Sequence, residues 1–132
     1  MTKQQHIDYW ISTAAEDCIS VEVLFDRKRY LHGLFWAHLT LEKLAKAHWV
    51  KSHEENIPPK VHNIVWLLEE SGVDLGKEAM AFLVKFNRFQ LSTRYPDYVH
   101  SMYQICTEEF AMQNLEKVKE IKTCLLEMLS LK

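Results

Sequence analysis

The stretch Arg94-Tyr95-Pro96-Asp97-Tyr98-Val99-His100 holds the residue types best suited to chemistry on a phosphate. Pro96 has its φ fixed near the value of a first helical turn, and Asp97 beside it complements the positive end of a helix dipole. The spacing therefore predicts a helix starting here, with Arg94 just outside its N-terminus and His100 a turn inside. Backbone N–H groups, a bidentate guanidinium and an imidazole titrating near neutrality can converge there on one anion. The matching reaction is metal-independent RNA cleavage. An imidazole moves the proton of the 2′-hydroxyl or of the leaving oxygen, and an arginine stabilises the charged transition state. The same residues are also accounted for as a plain turn, with Arg94 tied to Asp97 or another carboxylate and Tyr95-Pro96 redirecting the chain.

A second set of chemical residues lies in the run from His38 to His48. His38 and His48 share its apolar stripe and read first as buried, hydrogen-bonded histidines. Glu42 and Lys46, four residues apart, read as a surface pair that supports the helix. The functional alternative is that Lys43 and Lys46 line a groove for a phosphate, with His38 and Glu42 close by. His38 and Glu42 alone do not close a metal site, and the Glu-x-x-His repeat of a di-iron bundle is absent from the sequence, so no metal or other cofactor is expected. A Gly-rich phosphate loop, a nucleophile elbow and an HExxH motif are also missing, which removes P-loop hydrolases, common serine hydrolases and zincin proteases.

These residues need a scaffold, and the composition points to helices. The chain has 132 residues, 48% of them apolar, with three Gly and three Pro, which suits one globular domain over 1–132. Sixteen Lys and Arg against eighteen Asp and Glu leave a net charge of −2, so there is no domain-wide positive field for nucleic acid. Three cysteines without a CxxC pair, a polar opening and no long apolar run give the expectation of a soluble, cytoplasmic protein with no membrane association.

Apolar residues recur every three or four positions from Gln4 to Phe25 and again through Leu34, His38, Leu41, Ala45 and His48. The turn at Asp26-Arg27-Lys28-Arg29 predicts that these two helices run antiparallel, and Ile57-Pro58-Pro59 is expected to stop the second. A short helix follows over about His62 to Glu70, then Asp74 is placed to cap a third long helix over Gly76 to Leu91. Its Met80, Leu83 and Val84 are expected to fill the core, and Phe82, Phe86 and Phe89 to face a partner copy. One last helix carries Ala111, Leu115, Val118, Ile121, Leu125 and Met128. The expected fold is all-α: an antiparallel up-and-down four-helix bundle with an additional short helix.

In order, Trp10, Ala14 and Asp17, then Tyr30, Phe35, Ala37-His38 and Leu41-Glu42-Lys43-Leu44-Ala45-Lys46-Ala47, then Pro59, His62-Asn63 and Leu67-Leu68, and finally Ser92-Thr93-Arg94-Tyr95-Pro96-Asp97 resemble the HEPN domain family. The resemblance covers nearly the whole chain. It implies a small cytoplasmic homodimer that binds nucleotide or RNA, often paired with a minimal nucleotidyltransferase in a toxin–antitoxin-like couple. Arg94, Tyr95, Asp97, His38, Glu42, Lys43 and Lys46 would contact the nucleotide or its phosphate. Many family members are thought to be metal-independent ribonucleases, which implies Arg94 and His100 as catalytic residues; here Tyr95 and Pro96 follow the arginine where catalytic groups commonly carry Asn, Asp or His. A third expectation is a non-catalytic dimerisation or adaptor module docking through Phe82, Phe86 and Phe89.

Overall fold

The computed structural model describes residues 1–90 and 96–130, and for 96–99 the backbone alone. Helix α1 spans Lys3–Asp26, α2 Tyr30–Ser52, α3 Ile64–Glu70, α4 Lys77–Phe86, α5 Pro96–Ile105 and α6 Glu108–Ser130, with a short 3-10 turn at Asn87–Gln90 after α4. The described residues contain no strand, and no helix among them is long and apolar enough to cross a membrane.

Helix α1 starts where a capping box makes it start. The Thr2 hydroxyl accepts from the Gln5 N–H at 3.1 Å while the Gln5 side chain accepts from the Thr2 N–H at 2.8 Å. The helix ends as Lys28 takes the left-handed conformation, φ 59°. Helix α2 then returns along α1, as the predicted turn requires. Phe25 meets Gly33, Lys43 meets Asp17, Lys46 meets Trp10, and Lys3 reaches the carbonyls of Val50 and His53, so sequence numbers rise on one helix as they fall on the other. Gly33 is needed for that close approach, because a Cβ there would lie 2.5 Å from the Phe25 ring. Helix α2 also ends earlier than the prolines demand, at Ser52, with the Lys3 ammonium satisfying its last carbonyls.

Helix α6 pairs with both. His48 contacts the Leu125 carbonyl and Lys51 those of Met128 and Leu129, so α6 runs in the same sense as α2. Cys18 with Lys122 and Glu22 with Lys119 give it the opposite sense to α1. Leu34, Leu41, Leu44, Val50, Leu83, Phe86, Phe89 and Leu125 are fully enclosed in the core that these helices share with α3 and α4.

Four expectations need correction. The last helix is two helices: Thr107 caps α6, its hydroxyl accepting from the Phe110 N–H at 3.2 Å, with Glu108 and Glu109 in the first turn. Asp74 does not cap α4; it accepts from the Gly76 N–H two residues on, and Gly76 at φ 97° is the N-cap. Glu42 and Lys46 are not a surface pair, being 3% and 8% exposed. Phe86 and Phe89 are not an interface, because both lie in the core of their own chain; Phe82 is half-buried and stacks on Phe86, while Val84 is the exposed residue. Residues three apart share one face of an α-helix, so Leu83 and Phe86 belong to a single buried stripe, and Phe89 in the 3-10 turn continues it.

Candidate functional site

The third turn of α2 places His38 and Glu42 one above the other, on the face that meets α3 and the 3-10 turn. Glu42 is buried and fully engaged. Its Oε2 accepts from the Lys46 ammonium at 3.0 Å, and the His62 Nδ1 lies 3.1 Å from Oε1 and 3.2 Å from Oε2. A carboxylate only accepts, so His62 donates through Nδ1, and in the neutral ring Nε2 carries the lone pair. The His62 side chain is 45% exposed, whereas that of Glu42 is 4% exposed. The imidazole is therefore anchored from inside and open outside.

His38 is fixed by an amide network. Asn63, the N-cap of α3, accepts from the Trp66 N–H at 3.1 Å and from the Asn87 Nδ2 at 2.8 Å. Asn87 Oδ1 accepts from the Ile64 N–H at 3.2 Å and faces His38 Nε2 at 3.1 Å. An oxygen that already accepts one bond accepts a second, so the network assigns the proton to His38 Nε2. Burial pushes His38 below the ordinary histidine value, opposed by the Asn87 hydrogen bond and by the Glu42 charge. The ring is thus neutral near pH 7, and Nδ1 is an acceptor standing 3.9 Å from Glu42 Oε1, too far and of the wrong type for a hydrogen bond.

A cleft of about 90 Å³ opens here, lined by Phe35, His38, Leu39, Glu42, His62 and Gln90. Gln90 is the last described residue before 96, so the cleft sits where the chain enters the Arg94-Tyr95-Pro96-Asp97 segment. A match to the HEPN domain model extends over residues 7–129. The chain belongs to the HEPN family. No curated protein and no solved structure matches it. Membership of the HEPN family supports a nucleotide-binding or ribonuclease-like role in general terms.

Of the site residues expected for this HEPN domain, His38 and Glu42 meet in the cleft. Lys46 reaches Glu42 from behind, with its ammonium 5.5 Å from the Trp10 ring centroid. Lys43 is held by Asp17 at 2.7 Å, so each of the two lysines assigned to phosphate lies against a carboxylate. His100 is exposed on α5, its ring nitrogen 3.2 Å from Gln104 Nε2. Arg94 and Tyr95, and the side chain of Asp97, lie outside the described residues. Among the described residues no group of three or more His, Cys, Asp or Glu is arranged to hold a metal ion.

His62, Asn63, Asn87, Gln90 and Phe35 complete the site and were not assigned to it by spacing. One signal was present for Asn87: a polar amide between Phe86 and Phe89 sits where a core residue is expected. His62 carries no such mark, because the twenty residues between it and Glu42 say nothing about their contact.

Proposed function

We propose that this HEPN domain binds a nucleotide or RNA, with the sugar side of the ligand at the His38–Glu42–His62 cleft and a phosphate on the Arg94-Tyr95-Pro96-Asp97 segment that follows Gln90. The observation that carries this reading is the cleft itself. It joins a buried carboxylate, an anchored imidazole and an amide in one open recess, on a chain that belongs to a family whose members often bind RNA and form dimers. The scaffold in this reading is an up-and-down four-helix bundle, a view supported by α1 running antiparallel to both α2 and α6. Its working form is a homodimer, and its partner protein a minimal nucleotidyltransferase.

A second reading is metal-independent ribonuclease activity, favoured by the exposure of His100 on α5 six positions after Arg94. One pair of assays separates the two. In EDTA, labelled RNA cleaved by the purified protein and spared by both Arg94→Ala and His100→Ala establishes the ribonuclease. Intact RNA together with a rise of several degrees in melting temperature with nucleotide or RNA establishes binding without cleavage. Neither response refutes both.

A further inference from the structure

The described residues that line the cleft are rich in acceptors and poor in donors. Glu42 presents a carboxylate, His38 Nδ1 a lone pair, and His62, with its Nδ1 hydrogen directed at Glu42, a lone pair on Nε2 in its uncharged tautomer. His38 is 2% exposed, and among the described residues no donor hydrogen-bonds to its Nδ1. The Lys46 ammonium is spent on Glu42. Among the described lining residues Gln90 supplies the one side-chain amide. A phosphate brings acceptors alone and would meet the carboxylate edge, so these described atoms disfavour it. A group that donates through hydrogen is what these atoms can hold, and leaving a buried acceptor unmatched costs more than a hydrogen bond gains.

Two such groups exist on a ribonucleotide, the ribose hydroxyls and the exocyclic amines of the bases. The volume of about 90 Å³ favours a hydroxyl edge, because a whole base would fill the recess and displace Phe35 and Leu39 from its walls. A hydroxyl also accepts, which suits the Gln90 amide opposite. We propose that His62, anchored by Glu42, reads the ribose 2′-hydroxyl: Nε2 accepts its hydrogen at the mouth of the cleft, and the domain thereby selects RNA over DNA. This rests on the reading that the domain binds nucleic acid. It adds a specificity residue separate from Arg94 and His100.

The test is fluorescence anisotropy in EDTA and in the cold, with one short single-stranded sequence made as ribo, 2′-deoxy and 2′-fluoro oligonucleotides. The 2′-fluoro sugar keeps the pucker of RNA and removes the donor. The ribo form is expected to bind about tenfold tighter than both others, the worth of one well-placed hydrogen bond. His62→Ala is expected to bring the three together at the deoxy affinity, with the melting temperature held within a few degrees. Equal ribo and 2′-fluoro binding by the unaltered protein refutes the proposal without any variant, since pucker then accounts for selectivity. A loss on replacing adenosine by inosine, with no loss on 2′-fluoro substitution, refutes it in favour of a base amine. Equal binding of all three sugars refutes it and leaves the nucleic-acid reading standing, whereas no binding of any oligonucleotide overturns that reading and this one together.

Discussion

The anchor of the cleft can be tested by taking apart the Glu42–Lys46 pair. The two charged atoms lie 3.0 Å apart, with side chains 4% and 10% exposed, so each has given up most of its water. Removing one partner from such a pair leaves an uncompensated buried charge and costs about 3–5 kcal/mol, whereas replacing both by neutral groups of similar size is often close to neutral. Glu42→Gln strands the Lys46 ammonium against an amide and the Trp10 face, and the expected loss is about 3 kcal/mol, or about 10 °C in melting temperature for a chain of this size. Lys46→Met leaves Glu42 with His62, which lowers the expected cost to about 2 kcal/mol because an imidazole can carry the balancing proton. The double variant should then lose less than the two singles together, giving a coupling of at least about 2 kcal/mol from urea denaturation curves. The exposed pair Lys117–Glu78, at 2.9 Å, is the control and should show no measurable coupling. Additive losses at Glu42 and Lys46 would refute the claim that this carboxylate is locked by a desolvated partner.

Three further outcomes follow from burial. His38 and His48 are both held below the ordinary histidine value, in each case first by desolvation, so the folded chain refuses protons that the unfolded chain accepts. Stability is therefore full above about pH 6.5 and falls as the pH drops below it; the urea midpoint should decline between about pH 7.5 and about pH 5.5, and His48→Gln, which keeps a donor for the Leu125 carbonyl, should shallow that decline. Phe86→Ala should cost about 3–5 kcal/mol of stability with the mass in light scattering unchanged, and a change of oligomeric state in a fully stable variant would restore the interface role. Burial pushes the Cys106 thiol up to about 11, against the pull of Arg88, so iodoacetamide at neutral pH should modify the exposed Cys124 and leave Cys106 unmodified by mass spectrometry.

Much of the scaffold was legible because a 3.6-residue period survives in the side chains whatever they pack against. It located α1 and α2 and the burial of His38 and His48. Glu42 and Lys46 show where such reasoning stops. The same i,i+4 spacing serves a surface pair and a buried one, and only the return of His62 over Glu42 decides between them. Phe86 follows Leu83 by three residues and shares its buried face, so dividing this helix into a core face and a partner face cuts across one stripe. The break before α6 is marked by Thr107-Glu108-Glu109, an N-cap followed by two acidic residues, within an apolar stripe that runs on at either side of it.

The charge arithmetic inside the molecule bears on what kind of binder it is. Asp17 holds Lys43 and Glu42 holds Lys46, so two buried carboxylates of the α1–α2 pair cancel two of its cations within the fold. The remaining balance is slightly negative, at −2. Affinity for nucleic acid built on many phosphate contacts needs an unopposed basic surface, and each contact adds to the salt dependence. With two of its lysines spent internally and no net positive charge, the domain draws binding energy from a small number of phosphates and from matched hydrogen bonds. Such a site gains little from length of nucleic acid and much from the identity of one nucleotide, which is the behaviour that an anchored imidazole beside a buried carboxylate is suited to produce.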